Sequence, residues 1–195
     1  MRALCILLLG VLPSGFLMAA TQQYQEISLA NRQELRQKFY STSTINSFRD
    51  VNHAVGWISQ QSYLLRNKIS DERKRREMLR MIHYEATRYQ LDPDLVLALI
   101  EVESGFNRFA LSNVGASGLM QVMPFWKGLI GQENDSLFEA QTNLRYGCII
   151  LRHYLDIEKN NLERGLARYN GSLGSDVYPT MVISVWKAKY RYASN

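Results

Sequence analysis

Apolar residues recur along most of the chain at spacings of three and four, which is the period of amphipathic helices. No segment alternates convincingly between apolar and polar residues as a half-buried strand would. The first two predicted helices cover residues 28–40 and 44–66, with apolar positions at Leu29, Leu35, Phe39, Val51, Val55, Ile58 and Leu65. The pattern therefore predicts an all-α protein.

The later helices carry clearer start and stop signals. Ser70 is the expected N-cap of the third helix, and Asp92 is expected to cap the fourth, with Pro93 at its first position. The pair Asn170-Gly171 is a common stop signal. Further helices are predicted over residues 143–156, 161–170 and 176–192. Together these patterns predict one core, from residue 71 onward.

The first twenty residues have the order of a secretory signal peptide: Arg2, an apolar run over residues 3–12, and a small-residue end at Ala19 and Ala20. The run is too short to span a bilayer. We therefore expect export to the periplasm; the alternative is an uncleaved membrane anchor. The predicted parts are a signal peptide (1–20), a helical extension (21–70) and a main domain (71–195).

Cysteine and charge content exclude some classes of function. Removal of the signal leaves Cys148 as a lone cysteine among apolar residues, so neither a disulfide nor a cysteine nucleophile is expected. The formal net charge of +5 suits an anionic polymer as partner without requiring one. The basic cluster at residues 73–76 has acidic neighbours and indicates a solvated helix face, so no nucleic-acid partner is expected.

No metal or cofactor is predicted. The three histidines, His53, His83 and His153, are isolated, and no paired-cysteine or His-Glu-x-x-His spacing occurs. The glycine-rich loop around residue 115 lacks the Gly-Lys-Ser/Thr ending of a phosphate-binding loop. The carboxylates are the remaining candidates for chemistry.

Glu103 differs from an ordinary surface glutamate. It follows an apolar run and lies in the last turn of the fourth predicted helix, where the helix dipole is negative. Both effects favour the protonated acid, so its pKa should rise toward neutrality, as a general acid for glycosidic cleavage requires. Glu101 points about 200° away on the same helix.

A second carboxylate is missing where most glycosidases have one. No Asp or Glu occurs from residue 104 to residue 132, and Glu133 and Asp135 follow in a polar stretch typical of a surface loop. One acid without a nearby partner indicates chemistry in which the substrate supplies the second group.

These residues form a recognisable set. The stretch "ESGFNRFALSNVGASGLMQVMP" (103–124), followed by "NLRYGCIILRHYL" (143–155) and by "LARYNGS" (166–172), resembles the soluble lytic transglycosylase family over roughly residues 75–175. The resemblance implies an all-α, lysozyme-like (goose-type) domain. It implies a lyase that cleaves the β-1,4 bond between N-acetylmuramic acid and N-acetylglucosamine of peptidoglycan without water and leaves 1,6-anhydro ends.

The resemblance also assigns roles to individual residues. Glu103 is implied as the sole catalytic acid and base. Tyr169 is implied as the tyrosine whose hydroxyl approaches that carboxylate and the substrate acetamido group. The other implied substrate-binding residues are Ser112, Gln121, Met123 and Asn170. The sequence departs from the family after Asn170, because "SDVYPTMVISVW" contains Tyr178-Pro179 but lacks the usual glutamate.

Two alternatives stay open at this point. A goose-type lysozyme would hydrolyse the same bond, although such enzymes usually have aspartates in the segment where this chain has none. A peptidoglycan-binding module without turnover would retain the cleft but not the chemistry. A monomer is expected, and endo or exo action, the role of residues 21–70, and transient contact with cell-wall or secretion machinery are left open.

Overall fold

The computed structural model describes residues 27–41 and 47–192. Over these ranges the chain forms eight α-helices followed by one π-helical turn at Trp186–Tyr190. The helices are α1 (Leu29–Tyr40), α2 (Val51–Leu64), α3 (Glu72–Arg88), α4 (Pro93–Ser104), α5 (Phe125–Ile130), α6 (Ala140–Ile157), α7 (Leu162–Asn170) and α8 (Val177–Val185). Only isolated bridges, with no strand, occur in the described ranges. The all-α prediction is confirmed.

Side-chain caps fix where most helices begin. Asp50, Asp71 and Asp92 accept hydrogen bonds from backbone N–H groups of the first turns of α2, α3 and α4. The predicted cap Asp92 with Pro93 behind it is confirmed. Ser70 was wrong as the cap of α3, because the side chain of the next residue, Asp71, accepts the N–H of Lys74 at 3.1 Å.

The centre of the molecule is α4. Five consecutive residues, Val96 to Ile100, are 0% exposed because α3, α8 and the π-helical turn surround this helix. On the other side of α3, α6 packs against α3, α7 and α1. The end of a central helix is thus held from several directions, which makes it a rigid place for a reactive group.

The extension belongs to the same core, so the prediction of a core starting at residue 71 was too narrow. Leu35 and Phe39 of α1 and Trp57 and Ile58 of α2 are buried in one cluster with the residues of α3–α8. Other apolar positions of these helices, Leu29, Val51 and Val55, are exposed, since no described element covers that face.

The C-terminal segment changes helix type where the sequence predicts one continuous helix over 176–192. The α-helix ends at Val185 and a π-helical turn follows to Tyr190. Lys189 and Tyr190 in this turn both hydrogen-bond the carboxylate of Glu101 on α4. The wider turn thereby ties the C-terminal segment to the central helix.

Two surface features bear on location and partners. The basic cluster at 73–76 does not form one patch, because Arg75 turns inward to bind Ser62 and the carbonyl of Ile69, while Arg76 pairs with Glu72 at 2.8 Å. None of the helices in the described ranges is long and apolar enough to cross a membrane. The predicted signal peptide lies outside the described residues.

Candidate active site

Glu103 sits in the last turn of α4 and is almost completely buried, with 3% of its surface exposed. The helix stops directly after Ser104 because Gly105 adopts the left-handed conformation, with φ of 56°. The Ser104 hydroxyl then donates to the carbonyl of Leu119 at 2.7 Å. The end of α4 is therefore fastened to the loop that follows it.

That loop, residues 106–124, folds back as a compact unit beside Glu103. Asn143 on α6 holds it: its side chain accepts the N–H of Met120 and donates to the carbonyls of Ser117 and Leu137, each at 2.8 Å. Gly118 lies in the middle of this cluster with φ of 77°. A Cβ there would stand 2.3 Å from the carbonyl oxygen of Leu137. Only glycine fits this position.

Tyr178, at the start of α8, contacts the Glu103 carboxyl. Its hydroxyl donates to Oε1 of Glu103 at 2.5 Å, and the tyrosine itself is 1% exposed. Burial, and then the charge and hydrogen bond of Glu103, raise the pKa of this hydroxyl far above its usual value, so it stays a donor. Sequence reasoning missed this contact because 75 residues separate the two partners.

The electrostatics of Glu103 are those predicted for an acid. Burial raises the pKa of its carboxyl from 4.5 to about 8, and the hydrogen bond from Tyr178 acts in the opposite direction. The direction of the predicted shift is confirmed. At neutral pH the carboxyl carries a proton, and the Tyr178 hydroxyl is in place to stabilise the carboxylate once that proton leaves.

Glu101, two residues earlier, has the opposite character. Burial alone would raise its pKa, but the bonds from Lys189 and Tyr190 hold the pKa below its usual value. The Lys189 ammonium lies 2.7 Å from Oε2. Glu101 is therefore a paired carboxylate that anchors the C-terminal segment, and the two glutamates have different roles on one helix.

Two of the predicted substrate-binding residues belong to the loop. Ser112 is buried, and its hydroxyl oxygen accepts the N–H of Ala116 at 2.9 Å, which uses a lone pair of the oxygen and not its hydrogen. Gln121 is 1% exposed and donates to the carbonyls of Ala110 and Gly118. Within the described residues its Oε1 has no hydrogen-bond partner.

Tyr169 and Asn170 end α7, and Met123 is half-buried against the core. The Tyr169 hydroxyl donates to the carbonyl of Met120 at 2.7 Å. Tyr178 also places a tyrosine hydroxyl at Glu103, and the approach of Tyr169 to that carboxylate stays a prediction. Asn170 is buried, and its side-chain nitrogen lacks a partner within the part of the chain that the structure describes.

Among the carboxylates that follow the loop, Glu133 is exposed, and Asp135 and Glu139 are engaged in other contacts. Asp135 accepts bonds from the Tyr146 hydroxyl at 2.5 Å and from the N–H of Gln132, and Glu139 caps α6. Asp94 is nine helical residues from Glu103, or about 14 Å at 1.5 Å per residue, beyond the spacing of a glycosidase pair. In the described ranges no group of three potential metal ligands occurs.

Comparison with known proteins identifies the family. Residues 80–177 match the model of the transglycosylase SLT domain. This segment contains Glu103 and the loop that packs beside it, and it ends one residue before Tyr178. The chain belongs to the transglycosylase SLT domain family. The resemblance noted in the sequence is confirmed.

Individual relatives agree with this assignment. The SLT-family chain is 28% identical over 191 residues to the membrane-bound lytic murein transglycosylase C of Mannheimia succiniciproducens, which covers 77% of this chain and 51% of that protein. It is 31% identical over 139 residues to the protein of the same name from Yersinia pestis, covering 63% of this chain and 38% of that protein. The chain thus spans about half or less of the length of these curated relatives.

Among solved structures, the SLT-family chain is similar to the 70 kDa soluble lytic transglycosylase SLT70 of Escherichia coli. The sequence identity is 22% and the TM-score is 0.46, over 80% of this chain and 28% of the other. The family assignment rests on the domain match.

Proposed function

We propose that this protein is a peptidoglycan lytic transglycosylase. It would cleave the β-1,4 bond between N-acetylmuramic acid and N-acetylglucosamine without water and leave a 1,6-anhydro-muramoyl end. The observation that carries the proposal is the buried Glu103, whose pKa burial raises to about 8, whose carboxyl accepts a hydrogen bond from Tyr178, and for which no carboxylate partner is found within residues 27–41 and 47–192. Membership of the SLT family supports the same activity.

The proposed mechanism uses one carboxyl group twice. Protonated Glu103 gives its proton to the glycosidic oxygen, and the bond between that oxygen and C1 of the muramoyl residue breaks. The 2-acetamido group of the substrate stabilises the positive charge at C1. Glu103, now a carboxylate, takes the proton of the 6-hydroxyl, and O6 bonds to C1 to close the anhydro ring. Glu103 ends protonated as it began.

Tyr178 is placed to stabilise the step in which Glu103 is a carboxylate. A hydrogen bond from its hydroxyl is stronger to a carboxylate than to a carboxylic acid. It therefore lowers the free energy of the state in which Glu103 has lost its proton and counteracts part of the cost of burying that charge. We assign it as a catalytic residue beside Glu103.

Substrate binding would use the polar atoms that the loop and α7 leave without a partner. The Oε1 of Gln121 and the side-chain nitrogen of Asn170 are both buried without a hydrogen-bond partner in the described residues. Leaving such atoms unpaired is unfavourable, so a ligand that completes their hydrogen bonds binds more tightly. Ser112 keeps its hydroxyl hydrogen for the substrate. Sugar hydroxyl and acetamido groups supply the donors and acceptors that these atoms need.

A peptidoglycan substrate implies an envelope location. The relatives are named membrane-bound murein enzymes, and the predicted signal at residues 1–20 agrees with export. We propose that the protein acts in the periplasm, as a free protein if the signal is cleaved and as an anchored one if it is not. The proposed domain division is residues 21–70 as the extension and 71–195 as the catalytic domain.

The substitution Glu103→Gln tests the proposal directly. It keeps the shape of the side chain and an acceptor for Tyr178 but removes the proton, so release of soluble fragments from purified sacculi should fall by at least about a thousandfold, which lies within the roughly 10²–10⁴-fold that one acid–base group contributes. The exposed Glu133→Gln is the matched control and should retain full activity. Activity in Glu103→Gln equal to the wild type would refute the proposed mechanism.

A further inference from the structure

The C-terminal segment, residues 177–192, is held to the rest of the protein by its main chain as well as by its side chains. The carbonyl of Tyr190 accepts a hydrogen bond from Nε2 of Gln61 at 2.8 Å, and the N–H of Tyr192 donates to Oδ2 of Asp94 at 2.6 Å. Both partners are buried, with Gln61 0% and Asp94 7% exposed. Such bonds fix the backbone itself, whatever side chains the segment carries.

Gln61 and Asp94 are also joined to each other, so the two bonds belong to one network. Nε2 of Gln61 donates to Oδ1 of Asp94 at 3.1 Å and thus uses both of its hydrogens. Nε1 of Trp57, one turn earlier on α2, donates to the same oxygen at 2.7 Å. Burial raises the pKa of Asp94 to about 6, so at pH 7 and above a carboxylate accepts these bonds. The network joins the extension, the start of α4 and the C-terminal segment.

The other end of the C-terminal segment carries Tyr178. From Val177 to Tyr190 the chain is helical without an intervening loop, first as α8 and then as the π-helical turn. The position of Tyr190 therefore influences the position of α8 along its axis, because a helix is a stiff element. The bond from the Tyr178 hydroxyl to Glu103 measures 2.5 Å. Since O–H···O bonds extend to about 3.0 Å, a shift of about 0.5 Å would carry this bond to the limit of its range.

We propose that Gln61 is a positioning residue for the reaction. Through the main chain of the C-terminal segment it keeps α8 where the Tyr178 hydroxyl meets Glu103. The inference rests on the proposed function, since it concerns the same acid. Gln61 acts through Tyr178 and not on the substrate, and Trp57 supports it by fixing the orientation of the Asp94 carboxylate.

This arrangement gives the extension a function. The match to the family model covers residues 80–177. Gln61 precedes this range and Tyr178 follows it, whereas the carboxyl that Tyr178 contacts, that of Glu103, lies inside it. The acid of the family domain thus receives its hydrogen bond from a tyrosine outside the match, and α2 keeps that tyrosine in place in addition to packing in the core.

Gln61→Met tests this role. Methionine keeps the length of the buried side chain but removes both donated bonds, so α8 is held less firmly. We expect kcat for release of fragments from sacculi to fall about three- to tenfold, a smaller loss than removal of the Tyr178 hydroxyl itself should cause. The alkaline limb of the pH profile should move upward, because a weaker bond from Tyr178 stabilises the carboxylate of Glu103 less.

Ser62→Ala is the matched control. Ser62 is the next residue on α2 and is 4% exposed, and its hydroxyl accepts a hydrogen bond from Nε of Arg75 on α3 at 2.8 Å. This bond joins the extension to α3 and not to the C-terminal segment. Ser62→Ala should lower the stability but leave kcat and the alkaline limb as in the wild type. Equal changes in Ser62→Ala and Gln61→Met would overturn the proposal, because they would show a general effect of destabilisation.

A double-mutant cycle shows whether Gln61 acts through Tyr178. In Tyr178→Phe the hydroxyl is absent, so adding Gln61→Met should neither lower kcat further nor move the limb further, and losses that multiply would overturn the proposal. If Gln61→Met does not fold, Trp57→Phe replaces it in the cycle. Trp57→Phe removes one bond to Asp94 and keeps a buried ring, and it should lower kcat about two- to threefold only while the Tyr178 hydroxyl is present.

The pKa of Glu103 can also be followed without turnover, by NMR titration of protein labelled at the glutamate carboxyl carbons. Gln61→Met and Tyr178→Phe should each raise this pKa, and Ser62→Ala should not. A wild-type pKa in Gln61→Met would overturn the proposal. If sacculi are not cleaved at all but the pKa rises as expected, the proposed function fails and the positioning by Gln61 stands.

Discussion

At the scale of single residues, two glutamate–tyrosine contacts on α4 differ in burial and in pairing with a cation. Burial raises the pKa of Glu103 to about 8, although the hydrogen bond from Tyr178 acts in the opposite direction. Glu101 receives one from Tyr190 and is also paired with Lys189, so its pKa falls. Deeper burial, without the ion pair that Glu101 has, therefore favours the protonated form of Glu103.

Removing the Tyr178 hydroxyl should affect catalysis and its pH dependence. In Tyr178→Phe the carboxylate of Glu103 loses a charge-assisted hydrogen bond, so kcat should fall about ten- to a hundredfold, which corresponds to a bond of roughly 1.5–3 kcal/mol. The pKa of Glu103 should rise further, and the alkaline limb of the pH profile should move upward. Steady-state rates between pH 5 and 10 measure both effects.

Tyr190→Phe is the matched control for this prediction. It removes the equivalent bond to Glu101 and should lower the stability without moving the alkaline limb. A Tyr178→Phe enzyme with the wild-type pH profile would show that this bond has no part in the titration of the acid.

The raised pKa of Glu103 also predicts how stability depends on pH. Folding favours the protonated form, so the wild type keeps its full stability below the unfolded pKa near 4.5 and loses part of it as the pH rises through about 8. Glu103→Gln has no charge to bury. It should therefore match the wild type at pH 4 and exceed it at pH 9 by up to several kcal/mol, since one pKa unit is about 1.4 kcal/mol.

Thermal or urea unfolding of both proteins across this pH range measures the difference. Glu133→Gln, at an exposed position, should follow the wild type throughout. A Glu103→Gln protein that is less stable than the wild type at pH 9 would mean that the carboxyl is not kept protonated by burial.

At the scale of elements, the loop between α4 and α5 is fixed from α6. Asn143 makes three hydrogen bonds to the loop and its surroundings, and Gly118 provides the space and the left-handed backbone that these bonds require. The loop then presents Ser112 and Gln121 beside the end of α4. If Ser112 and Gln121 bind the substrate as proposed, the rigidity of the loop determines how precisely they are positioned.

Two glycines of the loop make a matched test of this rigidity. Gly115 and Gly118 both have positive φ, but a Cβ at Gly115 meets no atom within 4 Å, whereas one at Gly118 meets the carbonyl of Leu137 at 2.3 Å. Gly115→Ala should cost about 1 kcal/mol of unfolding free energy from backbone strain alone. Gly118→Ala should lower the unfolding free energy by several kcal/mol more, because either the backbone at Leu137 or the side chain of Asn143 must move to make room for the Cβ.

Urea denaturation of the two variants measures the contrast, and cleavage rates show whether the loop has moved. Equal losses of stability in Gly115→Ala and Gly118→Ala would mean that the contact with Asn143 and Leu137 does not constrain the loop.

The elements themselves were predictable wherever the signal was local. The start of α4 at Asp92-Pro93 and its stop at Gly105 follow from caps that act within one turn. The six-residue helix α5 was not predicted, because no side chain caps its start and it is too short to show a period. The exposure of Val51 and Val55 could not be predicted for a different reason. The sequence shows that one face of the helix is apolar, but it does not show whether another element covers that face.

The candidate site was predictable to a similar extent. The position and the raised pKa of Glu103 follow from the apolar run before it and from the helix end. The contact with Tyr178 depends on how α8 crosses α4, which no spacing in the sequence encodes. The resemblance points to Tyr169 instead, whose hydroxyl donates to the carbonyl of Met120 in the loop and whose role at the carboxylate stays a prediction.

At the scale of the whole molecule, the extension and the SLT domain are one folded unit. The ring of Phe39 on α1 lies 4.6 Å from that of Tyr146 on α6, and Arg88 of α3 donates to the carbonyl of Phe39. The extension therefore contributes to the stability of the whole fold.

Phe39→Ala tests this integration. Phe39 is 3% exposed, so the substitution should lower the unfolding free energy of the whole protein by about 3–5 kcal/mol in a single transition. Leu29→Ala on the same helix, 76% exposed, should change it by less than about 0.5 kcal/mol. A Phe39→Ala protein with wild-type stability would show that α1 is not part of the cooperative core.

The central claim is that one buried glutamate cleaves the glycan without water. Mass spectrometry of the soluble products from purified sacculi tests it most directly, with the protein lacking residues 1–20 as the enzyme. The account predicts fragments that end in 1,6-anhydro-muramic acid and are lighter by one water than hydrolysis products. Fragments with a reducing muramic acid would contradict it and would identify a lysozyme, and sacculi that bind the protein without releasing fragments would contradict it in favour of a binding module.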